Sequence, residues 1–221
     1  MTIKSTRGLH TDRLKILLHG FAGSGKTHQA STLEGKTLVI SAEGGLLTLN
    51  DFDIDVLEVS NLEDVRNAYG WLLEPETAKK YDNIFVDSLT EIFDFAIKDI
   101  KDTGQKMTFG EWGELKEVMM RLTKAFRDLK DYNVIFTALP AMASEQGMKR
   151  IVPAFQGGFK DVVEGLFDFV FYLENKDGTR VLHTRDNGSI ACKSRVSSID
   201  KLIENPSLGS IIKSLKPTTT K

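Results

Sequence analysis

The chain of 221 residues is poor in several features, and each shortage excludes a class of protein. Its single cysteine, Cys192, allows no internal disulfide, so nothing indicates an oxidising compartment and we expect a cytoplasmic protein. No apolar run approaches the roughly 20 residues that span a bilayer, and the polar residues at the N-terminus lack the apolar core of a secretion signal. The formal net charge is −2, so any nucleic-acid binding must come from local basic patches. The four histidines lack metal-ligand spacing, which argues against a zinc site.

Short apolar runs alternate with segments of helical periodicity over the first two thirds of the chain. This order predicts an α/β fold with a mostly parallel sheet that is covered by helices on both faces. In the last third, 168–173, 180–184 and 189–193 are predicted as strands of an antiparallel meander, separated by Asp177-Gly178 and Asn187-Gly188. We divide the chain into an N-terminal extension (1–13), a core (14–208) and a tail (209–221). The five predicted parallel strands are 14–18, 37–41, 54–59, 83–87 and 133–138. The helices are predicted to begin near 60, 88 and 111, with Ser60 and Glu63 capping the first and Ser88 and Glu91 capping the second.

Residues 20–27 match the full phosphate-binding pattern G-x-x-x-x-G-K-[ST]. The apolar run before them predicts a buried strand, and the glycines allow a tight turn whose backbone N–H groups converge on phosphate oxygens. The segment after them can begin a helix, whose dipole favours the same negative charge. We therefore expect a bound nucleoside triphosphate with Mg²⁺, in which the lysine reaches the β- and γ-phosphates and the threonine hydroxyl ligates the metal. The predicted nucleotide-binding residues are Gly20, Phe21, Ala22, Gly23, Ser24, Gly25, Lys26 and Thr27.

Two carboxylates follow predicted strands and are candidates for the metal shell and for catalysis. Asp87 ends an apolar strand, where an aspartate can hold the Mg²⁺ shell opposite Thr27, or can simply precede a helix. Glu43 follows the strand after the phosphate loop. If that strand lies beside the phosphate-loop strand, its carboxylate points at the γ-phosphate and can orient and deprotonate a water molecule. The alternative is a solvated turn residue before Gly44-Gly45.

Two cations, Lys193 and Arg195, lie at the end of the last predicted strand. They can be exposed residues that protect a sheet edge. They can also be catalytic fingers that reach a γ-phosphate across a subunit interface, where such cations raise phosphoryl-transfer rates by several powers of ten. The residues alone leave both interpretations open.

Two segments combine basic residues with apolar or aromatic ones, as single-stranded nucleic acid requires. One spans 101–110 and the other spans 140–160, which we predict as a long loop without periodicity. A plain surface lid is the alternative for the long loop. The candidate DNA-binding residues are Lys106, Phe109, Lys149, Arg150 and Lys160.

Taken together, these motifs resemble the RecA-like recombinase core, and more closely the small phage-encoded ATP-binding, AAA-family proteins implicated in single-strand annealing. The resemblance covers residues 14–208 and rests on the phosphate loop, Val-Ile-Ser-Ala-Glu-Gly-Gly, Ile-Asp-Val-Leu-Glu-Val-Ser, Ile-Phe-Val-Asp-Ser and Ala-Cys-Lys-Ser-Arg. It implies that ATP is the nucleotide, that Glu43 is the catalytic glutamate and Asp87 the Mg²⁺-shell aspartate. It also implies that Lys193 and Arg195 enter a neighbour's ATP site, and that 101–110 and 139–160 are DNA-binding loops.

The sequence also departs from the family pattern. It shows no separate N-terminal oligomerisation domain, and 133–138 lacks the glutamine that senses the γ-phosphate in RecA. Thr137, Gln146 or Gln156 can substitute, and the sequence does not choose among them. The residues that hold adenine in RecA are not recognisable, which leaves base preference open.

The leading functional hypothesis is a DNA-stimulated ATPase in a homo-oligomer, a ring or a filament, that binds single-stranded DNA for annealing or strand pairing. Its partners would include a single-strand binding protein, it would not involve a membrane, and it would act in the host cytoplasm if phage-encoded. One alternative is an ATP-dependent switch or loader that acts on a replication protein. The other is a small-molecule kinase of nucleotide-kinase type, since the phosphate loop is common to both classes.

Overall fold

A sheet of mostly parallel strands forms the centre of the computed structural model, which describes residues 13–101, 105–145 and 147–215. The five predicted parallel strands are present as β1 (Lys15–His19), β2 (Thr37–Ser41), β3 (Asp55–Glu58), β4 (Asn83–Asp87) and β5 (Asn133–Ala138). They lie in the order β1, β5, β4, β2, β3, and all four pairings are parallel. Because the strands are parallel, their carboxyl ends share one edge of the sheet.

Alternate side chains of β1 enter two apolar cores, one on each face of the sheet. Leu17 belongs to the first core, while Ile16 and Leu18 belong to the second, as the two-residue period of a strand requires. Both faces are therefore buried, which explains the continuous apolar runs. The first core is covered by α1 (Leu62–Leu72), α3 (Leu89–Ile100) and α4 (Phe109–Arg127), with the short α2 (Pro75–Ala78) after α1. The second is covered by α5 (Leu208–Leu215) and by the 3-10 helix Thr27–Thr32.

Side-chain caps fix where the long helices begin. The hydroxyl of Ser88 accepts a hydrogen bond from the backbone N–H of Glu91, as predicted for α3. A capping box between Thr108 and Glu111 starts α4 two residues before its predicted first residue. The prediction that Ser60 and Glu63 cap α1 is wrong. Asn61 is the cap instead, and its side chain accepts from the N–H of Asp64.

The last third of the chain extends the sheet on the other side of β1. The strand β8 (Phe169–Lys176) is parallel to β1, and β9 (Thr179–His183) returns antiparallel to it. Asp177 (φ 51°) and Gly178 (φ 88°) form the two-residue turn between them, as predicted. The predicted third strand at 189–193 does not pair with β9. That position is taken by β11 (Leu202–Glu204), while the short β10 (Lys193–Ser194) pairs with β8.

The prediction of an aperiodic loop over 140–160 is wrong. The chain leaves β5 and forms an antiparallel hairpin, β6 (Pro140–Glu145) and β7 (Met148–Pro153), before a short 3-10 helix at Gly157–Phe159. The hairpin joins the main fold through Ile151, whose N–H donates to the carbonyl of Ser189 at 2.8 Å. It therefore projects from the carboxyl edge of the sheet, where β5 ends.

The proposed tail, 209–221, includes most of α5, whose Leu208, Ile211 and Ile212 are buried. The part of that prediction that covers 209–215 therefore describes a packed helix. Nearly all of the proposed extension, 1–13, and residues 216–221 lie outside the described residues. Within 13–101, 105–145 and 147–215, no helix is both long and apolar enough to cross a bilayer.

Candidate nucleotide-binding site

The phosphate loop, residues 20–27, leaves the carboxyl end of β1 between β5 and β8. The N–H of Gly20 donates to the carbonyl of Ala138 on β5 at 3.2 Å. A Cβ atom at Gly20 would lie 2.2 Å from the carbonyl oxygen of Leu173 on β8, so only glycine fits where the loop passes that strand. The two neighbouring strands therefore hold the start of the loop in place.

The loop turns tightly before it enters the helical segment. The N–H of Ser24 donates to the carbonyl of Phe21 at 3.1 Å, and Gly25 has a φ of 96°, a conformation that favours glycine. Phe21 is half exposed, and the Ser24 hydroxyl is buried with no hydrogen-bond partner among the described residues. The predicted helix after the loop is only the six-residue 3-10 helix Thr27–Thr32. Attraction of phosphate therefore rests on the loop N–H groups more than on a long helix dipole.

The amine of Lys26 lies over the loop. It donates to the carbonyl of Gly20 at 2.7 Å and to that of Phe21 at 3.2 Å. Burial lowers the pKa of this amine below its ordinary value, and the negative charges of Asp87 and Glu43 act in the opposite direction. Both carboxylates thus favour the charged form of the amine, which a phosphate group requires.

Asp87 connects the phosphate loop to two strands. Its Oδ2 atom accepts a hydrogen bond from the Thr27 hydroxyl at 2.6 Å, and its Oδ1 atom accepts one from the Thr137 hydroxyl on β5. A hydroxyl and a single carboxylate in contact fit Mg²⁺, which binds few protein oxygens and takes its other ligands from phosphates and water. In the described part of the chain, no cluster of three His, Cys, Asp or Glu side chains offers a separate metal cage.

Glu43 lies close to Asp87, although its strand is not next to the strand that precedes the phosphate loop. The strand β2 lies beside β4, and β4 and β5 separate it from β1. The predicted role of Glu43 depended on β2 lying beside β1, and this adjacency is absent. The side chain is nevertheless placed beside Asp87, since the Ser88 hydroxyl donates to the Glu43 carboxylate and the Ala42 N–H donates to the Asp87 carbonyl at 2.6 Å.

The sequence pointed to Ser88 only as a helix cap, and its contact with Glu43 was missed. The only local signal is that it directly follows Asp87.

Among the three candidates for sensing the γ-phosphate, Thr137 donates its hydroxyl to Asp87, Gln156 is exposed, and Gln146 lies outside the described residues. Of the three, Thr137 is therefore the one in contact with a predicted metal ligand.

Lys193 and Arg195 lie at the opposite edge of the sheet from the phosphate loop of their own chain. Lys193 is opposite Val170, near the start of β8, and its amine donates to the carbonyls of Phe167 at 2.8 Å and Glu164 at 3.1 Å. Burial lowers the pKa of that amine. Arg195 is more exposed and forms an ion pair with Asp168 at 3.3 Å. Neither side chain contributes to the loop within this chain.

The candidate DNA-binding residues occupy the hairpin β6–β7 and the region around the start of α4. Lys149 is exposed on β7, whereas Arg150 is partly buried and forms an ion pair with Asp186. Phe109 is 97% exposed at the first position of α4, and Lys106 is exposed just before it. Lys160 is exposed directly after the 3-10 helix Gly157–Phe159, which packs against α4.

Comparison with known proteins agrees with this geometry. A protein-family model described as an AAA domain matches residues 12–196, which include the phosphate loop, both carboxylates and the hairpin. No curated protein matches the chain. Since the match covers more than half of the sequence, the chain belongs to the AAA domain family, a family of P-loop ATPases.

Proposed function

We propose that this chain is an ATP-dependent DNA recombination protein with a RecA-like core. It binds ATP with Mg²⁺, hydrolyses it, and uses it to hold single-stranded DNA for annealing or strand pairing. The observation that carries the proposal is the direct connection, through β5, between the residues around Asp87 and the hairpin β6–β7. Resemblance to the small phage-encoded annealing proteins supports the same assignment, with the host cytoplasm as its location.

The connection through β5 is short. Thr137 donates its hydroxyl to Asp87, and two residues later the N–H of Leu139 donates to the hydroxyl of Thr90 on α3 at 2.9 Å. The hairpin begins at the next residue, Pro140. A change in how Asp87 and Thr27 hold Mg²⁺ and phosphate can therefore reach the hairpin through one strand.

The hairpin surface suits an unpaired strand of nucleic acid. Met142 is 57% exposed and lies on the same face of the hairpin as the exposed Lys149, while Met148, 68% exposed, lies on the opposite face. Apolar side chains can contact the faces of unstacked bases, and a lysine can neutralise a phosphate. Phe109 offers a nearly fully exposed aromatic ring for the same purpose. Because the formal net charge of the chain is −2, binding of nucleic acid would depend on local basic residues such as these.

In the proposed reaction Glu43 orients and deprotonates the attacking water, while Lys26 stabilises the charge on the transferred phosphate. Mg²⁺, when held by Thr27 and Asp87, would add positive charge beside the same phosphate. Lys193 and Arg195 would act on the ATP of a neighbouring subunit, because they lie at the edge of the sheet away from their own phosphate loop. The ATP sites would then lie between subunits of a ring or a filament. A single-strand binding protein is the expected further partner.

The test is steady-state ATP hydrolysis by the wild type and by Glu43→Gln, without DNA, with single-stranded DNA and with duplex DNA. We expect single strands to stimulate the wild type and the variant to lose both basal and stimulated turnover while still binding ATP. Activity per molecule should rise with protein concentration, because the fingers come from a neighbour. Turnover that ignores every DNA would contradict the proposal. Stable capture of a replication protein by the ATP-bound form, without such stimulation, would favour a switch or loader.

A further inference from the structure

The side chain of Arg180 lies against the phosphate loop, although nothing around this residue in the sequence indicates a nucleotide contact. Arg180 is on β9, directly opposite Asn175 of β8. The pairing of β8 with β1 ends at Tyr172, opposite His19, so Asn175 and Arg180 lie beyond the carboxyl edge of the central strands. The β8–β9 hairpin therefore places a cation beside the loop that follows β1.

The contact is with Gly25, the glycine immediately before Lys26. A Cβ atom at Gly25 would lie 2.6 Å from Nε, 3.0 Å from Cδ and 3.1 Å from Cζ of Arg180, so the guanidinium group covers this part of the loop. These distances place the guanidinium over the turn from the loop into the 3-10 helix.

Within the described residues, the guanidinium group has no hydrogen-bond or ion-pair partner. Across 13–101, 105–145 and 147–215, no hydrogen bond or ion pair involves the Arg180 side chain, although the residue is partly buried. A guanidinium group carries five N–H donors in a planar arrangement that matches phosphate oxygens, and it stays charged at any physiological pH. A partly buried arginine with free donors beside a phosphate loop has the chemistry of an anion ligand.

The order of strands indicates which phosphates it faces. Asp87 on β4 and Glu43 after β2 lie on one side of β1, whereas β8 and β9 lie on the other. Thr27 and Asp87 would hold Mg²⁺, so the γ-phosphate end of the nucleotide would lie toward Asp87. Gly25 belongs to the part of the loop whose N–H groups hold the α- and β-phosphates. Arg180 is therefore on the side of the α- and β-phosphates.

We propose that Arg180 is a nucleotide ligand supplied by the β8–β9 hairpin of the same chain, and that it binds the oxygens of the α- and β-phosphates. The inference rests on the proposed nucleotide binding and adds a residue that holds ADP and ATP alike. Arg180 would bind the nucleotide of its own chain, whereas Lys193 and Arg195 lie at the other edge of the sheet from that chain's phosphate loop. Product release would then require the Arg180 contact to break.

The test measures the affinity of fluorescent ADP and of a fluorescent non-hydrolysable ATP analogue, each with Mg²⁺, for three variants. Arg180→Met keeps an unbranched stem over Gly25 and removes the charge, and Arg180→Lys restores a charge. Lys176→Met makes the same charge change at an exposed position of the same hairpin and serves as the matched control. Thermal melting confirms that each variant is folded.

We expect Arg180→Met to bind both nucleotides about 10- to 100-fold more weakly than the wild type, because charge-assisted hydrogen bonds are lost. Arg180→Lys should recover part of the affinity, and Lys176→Met should match the wild type. Unchanged affinity of Arg180→Met for both nucleotides would overturn the inference. So would a loss confined to the ATP analogue, which would place the contact at the γ-phosphate. A wild type that binds neither nucleotide would instead contradict the proposed function itself.

Discussion

The charge of Asp87 can be removed with little expected damage to the fold, which makes it the best place to test the metal site. Asn at this position keeps the size of the side chain and one acceptor oxygen for the Thr27 hydroxyl. The new amide N–H group would face Thr137, whose hydroxyl can accept it and donate instead to the carbonyl of Val86, already 3.4 Å away. Both hydrogen bonds can therefore be kept in Asp87→Asn.

Asp87→Asn should weaken Mg²⁺ binding strongly while it leaves the stability of the fold almost unchanged. A hydrogen bond or ligand contact that loses its charge weakens by about 1.5–3 kcal/mol, which corresponds to roughly 10- to 150-fold in affinity. We therefore expect Asp87→Asn to need about 10- to 150-fold more Mg²⁺ for half-maximal ATP hydrolysis. The free energy of unfolding should change by less than about 1 kcal/mol, which corresponds to a shift in melting temperature below about 4 °C in a chain of this size.

The assay is a Mg²⁺ titration of ATP turnover, together with thermal melting of the same samples. Asp53→Asn provides the control, because Asp53 is exposed and forms no hydrogen bond or ion pair within the described parts of the chain. Wild-type Mg²⁺ dependence in Asp87→Asn would refute the assignment of Asp87 to the metal shell. A large fall in melting temperature would refute the argument that its two hydrogen bonds survive.

Three further predictions concern the proposed DNA surface, a buried histidine and a helix contact. Phe109→Ala should weaken binding of single-stranded DNA about 5- to 100-fold in fluorescence anisotropy, as expected for one lost base stack, without a change in melting, because the ring is 97% exposed. Burial lowers the pKa of His19 to about 4 from 6.5, so the unfolded chain binds a proton first as the pH falls through this window. Urea unfolding at pH 7 and pH 5 should therefore show a loss of about 2 kcal/mol that is absent in His19→Gln, and equal losses in both proteins would contradict the burial argument. Gly209→Ala would place its Cβ atom 2.1 Å from the carbonyl of Thr32, so it should cost about 1–3 kcal/mol in thermal melting. Gly113→Ala, in open space on α4, should not destabilise the fold.

Much of the sheet could be predicted because it depends on local patterns. Runs such as Asn83–Asp87 have an unbroken apolar centre with no alternation of polar residues, which is typical of strands with both faces covered. The phosphate loop was equally clear, since its chemistry lies in eight consecutive residues. The caps at Ser88 and Thr108 are local too, but only the first was predicted, because Glu111 was taken for the start of the helix and not for the partner of a cap.

The order of the strands could not be predicted in the same way. β5 follows β4 only after two helices, yet it inserts between β4 and β1. The contacts of Thr137 with Asp87 depend on that insertion, and the contact of Arg180 with Gly25 depends on β8 lying beside β1. Such contacts join residues that are far apart in the sequence, so no local pattern of charge or hydrophobicity indicates them.

The hairpin β6–β7 was missed for a different reason. Apart from the buried Pro153, the described side chains of both strands are half exposed or exposed, so the two-residue alternation of apolar and polar residues is weak. Gly147, with a φ of 81°, is the clearest local sign of a turn. A strand that covers no core leaves little trace in its composition.

The helix α5 has a practical consequence for anyone who would express a shorter protein. It lies beyond residue 196, where the family match ends, yet it completes the surroundings of Gln29 in the segment after the phosphate loop. The Gln29 amide donates to the carbonyl of Pro206 at 3.1 Å and accepts from the N–H of Leu208 at 3.2 Å. A fragment cut at the family boundary would remove both of these partners from the buried amide, two residues after Thr27. The smallest unit that keeps the nucleotide site intact therefore extends to the end of α5, well past the limit of sequence similarity.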